Sequence, residues 1–283
     1  MTQTPDGFYR NIPEAKYHAS PGVSKSDMAQ ILRSPAHWRS PDPPDTEAME
    51  FGSAMHPGIL EPDRFKNEFV IYPADCLRGS GKGQEGRKDA FDAQAIANGQ
   101  TVIKPDYMDQ ITAMRDAVLL HPQVKELKLL EDGESELSAY WHDPDFDVLT
   151  KCRYDYLNPN NHRITDIKST TDAREDAFSK VADSKGYGIQ AGHYLYTATR
   201  LTKVEHKEFY FIVVERPKIK GQYVGVMVYQ ATEYLINEGL RLRSVALTIY
   251  KQCVEKNEWP GYTTELVPLD MPKWKKRKDM ILG

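Results

Sequence analysis

The chain has 283 residues, a formal net charge of −4, 40% hydrophobic and 28% charged residues, the balance of a soluble globular protein with enough chain for one large domain or two small ones. Cys76, Cys152 and Cys253 lie far apart, which excludes a disulfide framework, a CxxC zinc site and a four-cysteine iron–sulfur cluster, and points to a reducing cytoplasm. No apolar run approaches the ~20 residues that cross a bilayer, and the amino terminus lacks the basic and apolar regions of a signal peptide. The negative charge argues against indiscriminate coating of nucleic acid but leaves room for a local DNA site.

Residues 1–20, polar and rich in Pro, read as an irregular arm. Ser24 begins a capped helix that ends near Ser34–Pro35, since its hydroxyl can accept from the free amides of the first turn. Ser40 to Asp45 is a Pro-rich loop, and Glu47 to Leu60 a second helix carrying Phe51-Gly-Ser-Ala-Met-His56. The glycine-rich stretch Arg78 to Arg87 lacks the GxxxxGK[ST] spacing and has no apolar strand leading into it, so it reads as a mobile basic loop rather than a phosphate cradle. Helices follow over about 88–98 and 105–120. From Glu134 the period changes to two, and Glu136–His142, Val148–Leu157 and Arg163–Lys168 read as successive strands joined by turns at Asp143–Asp147 and Asn158–Asn161. Helices at about 172–183 and 187–201, strands at Glu208–Glu215 and Tyr223–Gln230, and a long helix from about 232 to 256 complete the pattern. The expected fold class is α/β, one domain with a central mixed sheet rich in antiparallel hairpins and flanked by helices. Its parts are a mainly helical wrapping region over 1–130, a core over 131–262 and a basic tail over 263–283.

Side chains alternate along a strand, so Asp166 and Lys168 project from one face of the third strand, and Lys151, Arg153 and Asp155 share a face of the second. A hairpin through Asn158–Asn161 brings Asp155 alongside Asp166, so that two carboxylates and a lysine converge. Hard divalent cations prefer such oxygen ligands, and a pair of ions can activate water and steady a leaving oxygen in phosphodiester hydrolysis. The spacing [DE]-x-K alone is unspecific: it starts five times, at Glu14, Glu126, Asp166, Asp183 and Glu205. Only the copy at Asp166 lies late in an alternating strand with another aspartate just upstream across a turn; elsewhere a surface ion pair explains it. The basic clusters Arg78, Lys82, Arg87, Lys88 and Lys273, Lys275, Lys276, Arg277, Lys278 read as a solvated loop and a solvated tail. Cys152, Trp141, Tyr154 and Tyr156 read as core.

The ordered set Glu136, Lys151-Cys-Arg-Tyr-Asp155, Asp166-Ile-Lys168, Gln190 and Tyr194 resembles the PD-(D/E)XK nuclease superfamily, and is similar in particular to the nuclease domain of RecE-type exodeoxyribonuclease VIII and its phage relatives. Val23-Ser-Lys-Ser, Ser34-Pro-Ala-His-Trp and Phe51-Gly-Ser-Ala-Met-His56 resemble that group's opening motifs, and Trp259-Pro-Gly-Tyr262 its closing one, so the likeness covers most of the chain. The resemblance implies that Asp155 and Asp166 bind metal with His56 and the carbonyl of Ile167, that Glu136 acts on metal or water, and that Lys168 acts on the attacking water. It places Gln190, Tyr194, Arg153, Ser24 and Lys25 in DNA contact or in support of the site. Tyr154 stands where proline is common, which leaves Asp155 in register. Read without the resemblance, His56 is a capping or packing histidine, Gln190 and Tyr194 orient a helix on the sheet, and Glu136 is a satisfied strand carboxylate.

The resemblance implies a Mg2+-dependent exonuclease, with Mn2+ as a substitute, that degrades linear double-stranded DNA from its ends, 5′-to-3′, for recombination. It also implies a ring-shaped homo-oligomer, a single-strand annealing protein as partner and no membrane. The rival readings are a PD-(D/E)XK endonuclease or single-strand-specific enzyme, a non-catalytic DNA-binding or assembly module with the same fold, and a phosphate-handling enzyme built on the glycine-rich loop.

Overall fold

The computed structural model describes residues 4–41 and 46–271. In chain order the elements are β1 (Gly7–Tyr9), α1 (Glu14–Ala19), α2 (Lys25–Arg33), α3 (Pro35–Arg39), α4 (Glu47–Leu60), α5 (Pro62–Glu68), β2 (Phe69–Ile71), α6 (Lys82–Ala97), β3 (Thr101–Ile103), α7 (Pro105–Leu120), α8 (Pro122–Glu126), β4 (Glu134–Asp143), β5 (Val148–Asn158), β6 (Arg163–Thr170), α9 (Glu175–Ser184), α10 (Tyr187–Thr202), β7 (Glu208–Glu215), β8 (Val226–Gln230) and α11 (Glu233–Lys256). The expected loop at 40–45 lies mostly outside the described residues, and the basic cluster at 273–278 lies wholly outside them.

Local chemistry sets several boundaries. Ser24 caps α2 in a reciprocal box with Asp27, satisfying two otherwise orphaned amides. Proline opens α3, α5, α7 and α8, where its missing N–H has no intrahelical partner to lose. The stretch around Lys82 is not a mobile loop. It forms the first turns of α6, which starts at Lys82 behind Gly81 in a left-handed conformation, φ +71°. The irregular arm expected at the amino terminus is also structured: β1 pairs with β4, and α1 follows it.

Six strands form a mixed sheet in the order β1-β4-β5-β6-β7-β8, while β2 and β3 form a separate parallel pair. Neighbours β4, β5 and β6 run antiparallel, β6 and β7 run parallel, and β8 returns antiparallel to β7. Both faces of β7 are covered. Tyr210, Ile212 and Val214 pack with Ile167 against Phe51, Met55, Tyr107, Ile111 and Met114 of α4 and α7. Phe209, Phe211 and Val213 pack with Ile164 against Phe178 of α9 and Ala191, Leu195 and Ala198 of α10. A strand covered on both faces reads as a continuous apolar run, as Phe209–Val214 does.

Helices α10 and α11 approach backbone to backbone. A Cβ at Gly239 would fall 1.8 Å from the carbonyl oxygen of Gly188, and one at Gly192 would fall 2.8 Å from the amide nitrogen of Leu240. A buried ion pair fastens α11 to the end of β4, with Arg243 donating to Asp143 and to Nδ1 of His193. Burial and the nearby Arg243 charge push His193 down to about 3, so the ring is neutral. The segment after α11 folds back on α3: Trp259 stacks on Trp38 with ring centres 4.8 Å apart, and the Pro260 carbonyl accepts from the Ala36 amide at 3.1 Å.

Candidate active site

The β4–β5 register pairs Ser135 with Tyr156 and Leu137 with Tyr154, which sets Glu136 across from Asp155. The β5–β6 register pairs Tyr156 with Thr165, which sets Asp155 level with Asp166. Three adjacent strands therefore carry a row of carboxylates. The recorded β5–β6 pairing ends at this level, and the Asp155 carboxylate accepts the Ile167 amide at 2.7 Å. Glu136 has a left-handed backbone, φ +50°. An L residue with a Cβ rarely adopts that conformation, and holds it where its surroundings enforce it.

Helix α4 supplies the next group. Phe51, Ala54 and Met55 face the core, while Met49, Gly52, Ser53 and His56 share the other face and line a cleft. His56 Nδ1 lies 3.1 Å from Asp155 Oδ2 and 4.0 Å from Glu136 Oε1. One donor atom each from His56, Glu136 and Asp155 falls within 4.8 Å of the others, so this trio can hold a cation. Burial alone would pull His56 down, but the Asp155 charge outweighs it and pushes the imidazole up to about 9. Burial raises Glu136, opposed by the His56 charge; burial also acts to raise Asp155, but its His56 partner holds it low. The other oxygen of Glu136 pairs with Arg153 Nε at 2.8 Å.

Asp166 sits beside the trio. Gln190 of α10 donates to its Oδ1, and Lys168 Nζ lies 2.6 Å from its Oδ2. Burial and then the Asp155 charge push Asp166 up to about 6. Lys168 is half-buried, and its desolvation works against its charge, yet Asp166 and Asp155 hold its ammonium well above the ordinary lysine range. The ring of Tyr187 lies 4.9 Å from Lys168 Nζ and 5.2 Å from Lys25 Nζ. Lys25 donates to the Lys185 carbonyl at 2.6 Å, and burial plus the Lys168 charge lower it to about 8.

The structure thus brings together His56, Glu136, Asp155, Asp166, Lys168, Gln190 and Arg153, with Lys25 at the margin. Ile167 donates its backbone amide to Asp155. Tyr194 lines the cleft, its ring 5.3 Å from that of Tyr154, whose hydroxyl donates to the Tyr194 carbonyl. Ser24 is occupied as the cap of α2. Lys151 shares the cleft side with Arg153 and Asp155, and its ammonium donates to the carbonyls of Tyr17, His18 and Ser20 at 2.9, 3.1 and 2.6 Å. Sequence reasoning missed Tyr187. Its one signal is its place three residues before Gln190, on the same side of the helix.

A mixed sheet that carries Glu136, Asp155, Asp166 and Lys168 on adjacent strands above a cleft is the framework of the PD-(D/E)XK class. The chain belongs to the family described as "PDDEXK-like domain of unknown function (DUF3799)", whose model matches residues 24–267. It is similar in structure to a protein described as "Putative exonuclease" from Eubacterium rectale, with a TM-score of 0.56 at 14% identity, covering 95% of this chain and 98% of that one. At that identity the likeness is one of fold. A phage-related exonuclease from Haemophilus somnus matches with a TM-score of 0.34 at 14% identity, covering 86% of this chain and 99% of that one. No curated protein matches the chain. Among the described residues no helix is long and apolar enough to cross a membrane.

Proposed function

We propose that the chain is a Mg2+-dependent exodeoxyribonuclease that degrades linear double-stranded DNA, 5′-to-3′, leaving single-stranded ends for recombination in a reducing cytoplasm. The observation that carries this reading is the donor trio of His56, Glu136 and Asp155 beside the Asp166–Lys168 pair, in one cleft. Two carboxylates and an imidazole fit a divalent ion: the oxygens suit Mg2+ and Mn2+, and the imidazole favours Mn2+ as a substitute. A cation bound there would neutralise phosphate charge and acidify a water.

The remaining chemistry falls to the chain's own groups. His56, Glu136 and Asp155 hold the ion. Asp166 presents a second carboxylate, aimed by Gln190 and Lys168. Lys168, held beside Asp166, acts at the attacking water, orienting it or taking part in its deprotonation, and offsets charge on the phosphoryl oxygens. Arg153 holds Glu136 in place. Lys25, with the Tyr187 ring between it and the site, supports contact with a neighbouring phosphate. The Tyr194 face of α10 supports the same strand of DNA.

Phosphate neutralisation supplies most non-specific affinity for DNA, and a chain of net charge −4 offers little of it. We therefore include in the reading a closed homo-oligomeric ring threaded by its substrate, and a single-strand annealing protein that receives the product. The test is a time course on linear duplex and on closed circular DNA, with and without Mg2+. Linear duplex alone should be degraded, and only with the cation. Asp166→Asn and Lys168→Ala should each lower the rate by roughly 100-fold or more, with Lys168→Ala largely sparing cation binding. Wild-type rates in either variant would overturn the site, and equal cutting of circles would make the protein an endonuclease. Light scattering should show a trimer or tetramer; a strict monomer removes the ring and leaves the chemistry.

A further inference from the structure

We infer that His162 and His206 form a second cation site, for a first-row transition ion such as Zn2+ or Cu2+, outside the cleft. His206 lies on the link between α10 and β7. Its backbone amide donates to Thr199 Oγ1 at 2.9 Å, and its Nδ1 meets the Val204 carbonyl at 2.8 Å. A carbonyl only accepts, so Nδ1 carries the proton and Nε2 presents a lone pair. That is the tautomer of a metal-ligating histidine, whose far nitrogen donates to a carbonyl and fixes the ring. The residue is 4% exposed, and its Nε2 is buried with no hydrogen-bond partner in the protein.

His162 closes the turn between β5 and β6, a turn pinned by the Asn158 side chain, which accepts the amides of Asn160 and Asn161 at 2.9 and 3.2 Å. Its Nδ1 is likewise buried without a partner. The two rings stand 5.2 Å apart, centre to centre, with their planes at 67°. Two imidazoles on one tetrahedral ion at the usual nitrogen–metal distance place their ring centres roughly 5 Å apart. Hydrogen bonds fix both segments, so the spacing of the two rings is set before any ion arrives. Two nitrogens and no carboxylate select Zn2+, Cu2+ or Ni2+ over Mg2+, with water completing the shell. Neither residue lines the cleft, so the site is independent of the activity proposed above. An ion there would clamp the β5–β6 turn to the strand entry of β7, at one end of the parallel β6–β7 pair.

The experiment uses the full chain carrying His56→Gln, Glu136→Gln and Asp155→Asn, which remove the cleft trio as ligands, stripped with chelator and titrated with Zn2+ by calorimetry. One equivalent should bind and raise the melting temperature, with a large excess of Mg2+ failing to displace it. Adding His206→Gln or His162→Asn should abolish that equivalent. His162 has φ +57°, a conformation asparagine accepts, so His162→Asn keeps the turn even where His206→Gln disturbs packing. With Cu2+, the electron paramagnetic resonance spectrum should show two nitrogen ligands, a signature that each variant loses. Absence of binding overturns the inference and leaves a water joining the two rings; binding unchanged by His162→Asn overturns it as well.

Discussion

His56 links charge, stability and cation binding in one side chain. Its folded pKa is about 9, raised above 6.5 by Asp155 against the pull of burial. A raised pKa means that the ion pair's stabilisation is complete below pH 6.5 and is lost as pH rises through about 9. Metal-free wild type should therefore exceed His56→Gln in stability by on the order of 2 kcal/mol at pH 6, with the gap closing toward pH 9. Cation binding needs a neutral imidazole, so loading near pH 7 should release about one proton per ion, and affinity should climb with pH up to about 9. Calorimetry in buffers of different ionisation enthalpy counts that proton; an identical count in His56→Gln would remove His56 from the ligand set. At this scale the sequence was partly legible. Strand alternation and a short turn suffice to bring Asp155, Asp166 and Lys168 together, because those relations are local. The pairing of His56 with Asp155 and Glu136 joins a helix to strands some 80 to 100 positions away in the chain, and only the family resemblance pointed to it. The left-handed backbone of Glu136 has no sequence signal, since nothing about a glutamate in a strand announces it.

Elements were legible where periodicity ran long. α4, α7, β4 to β7 and α11 stand close to where hydrophobic period and capping residues place them. The three-residue strands β1, β2 and β3 and the five-residue helices α3 and α8 were not, because so short a segment shows no period and owes its form to its neighbours. Helix α6 was misjudged at its start: three glycines, Gly81, Gly83 and Gly86, gave the look of a loop to what is mostly helix. Glycines also divide the helices by role. At Gly239 a methyl group meets the Gly188 carbonyl, so Gly239→Ala must push α11 off α10 and should destabilise the protein by about 3 kcal/mol. Because α10 carries Gln190 to Asp166, the same change should depress activity beyond what stability explains. At Gly86, exposed and with nothing within 4 Å of a new Cβ, Gly86→Ala should instead add roughly 0.5–1 kcal/mol. Thermal and denaturant unfolding of the two variants decide this; equal effects would mean that the close approach is not what holds α10.

For the whole molecule, the change of period at Glu134 and the alternation of strands and helices after it were enough to give an α/β fold with a mixed sheet flanked by helices. The order of strands was less accessible, because β1 joins the sheet from the far end of the chain and β6 finds a parallel partner only after a long crossover. That topology has a consequence in time. β4, β5 and β6 are joined by turns of four residues each, whereas 37 residues separate β6 from β7. Local pairings form before distant ones, since a long loop costs entropy before its contacts reward it. Glu136, Asp155 and Asp166 are therefore expected to crowd together in a half-built meander, before Gln190 arrives to share the charge. The acidic row is a burden on assembly as well as an instrument of chemistry, and a divalent cation should lighten it. Refolding should run about three- to tenfold faster with Mg2+ than in chelator, the equivalent of ~1 kcal/mol in the folding barrier. Asp155→Asn, one charge fewer, should refold fast in chelator; if it refolds no faster than wild type there, the crowding of carboxylates does not limit how the chain first finds its shape.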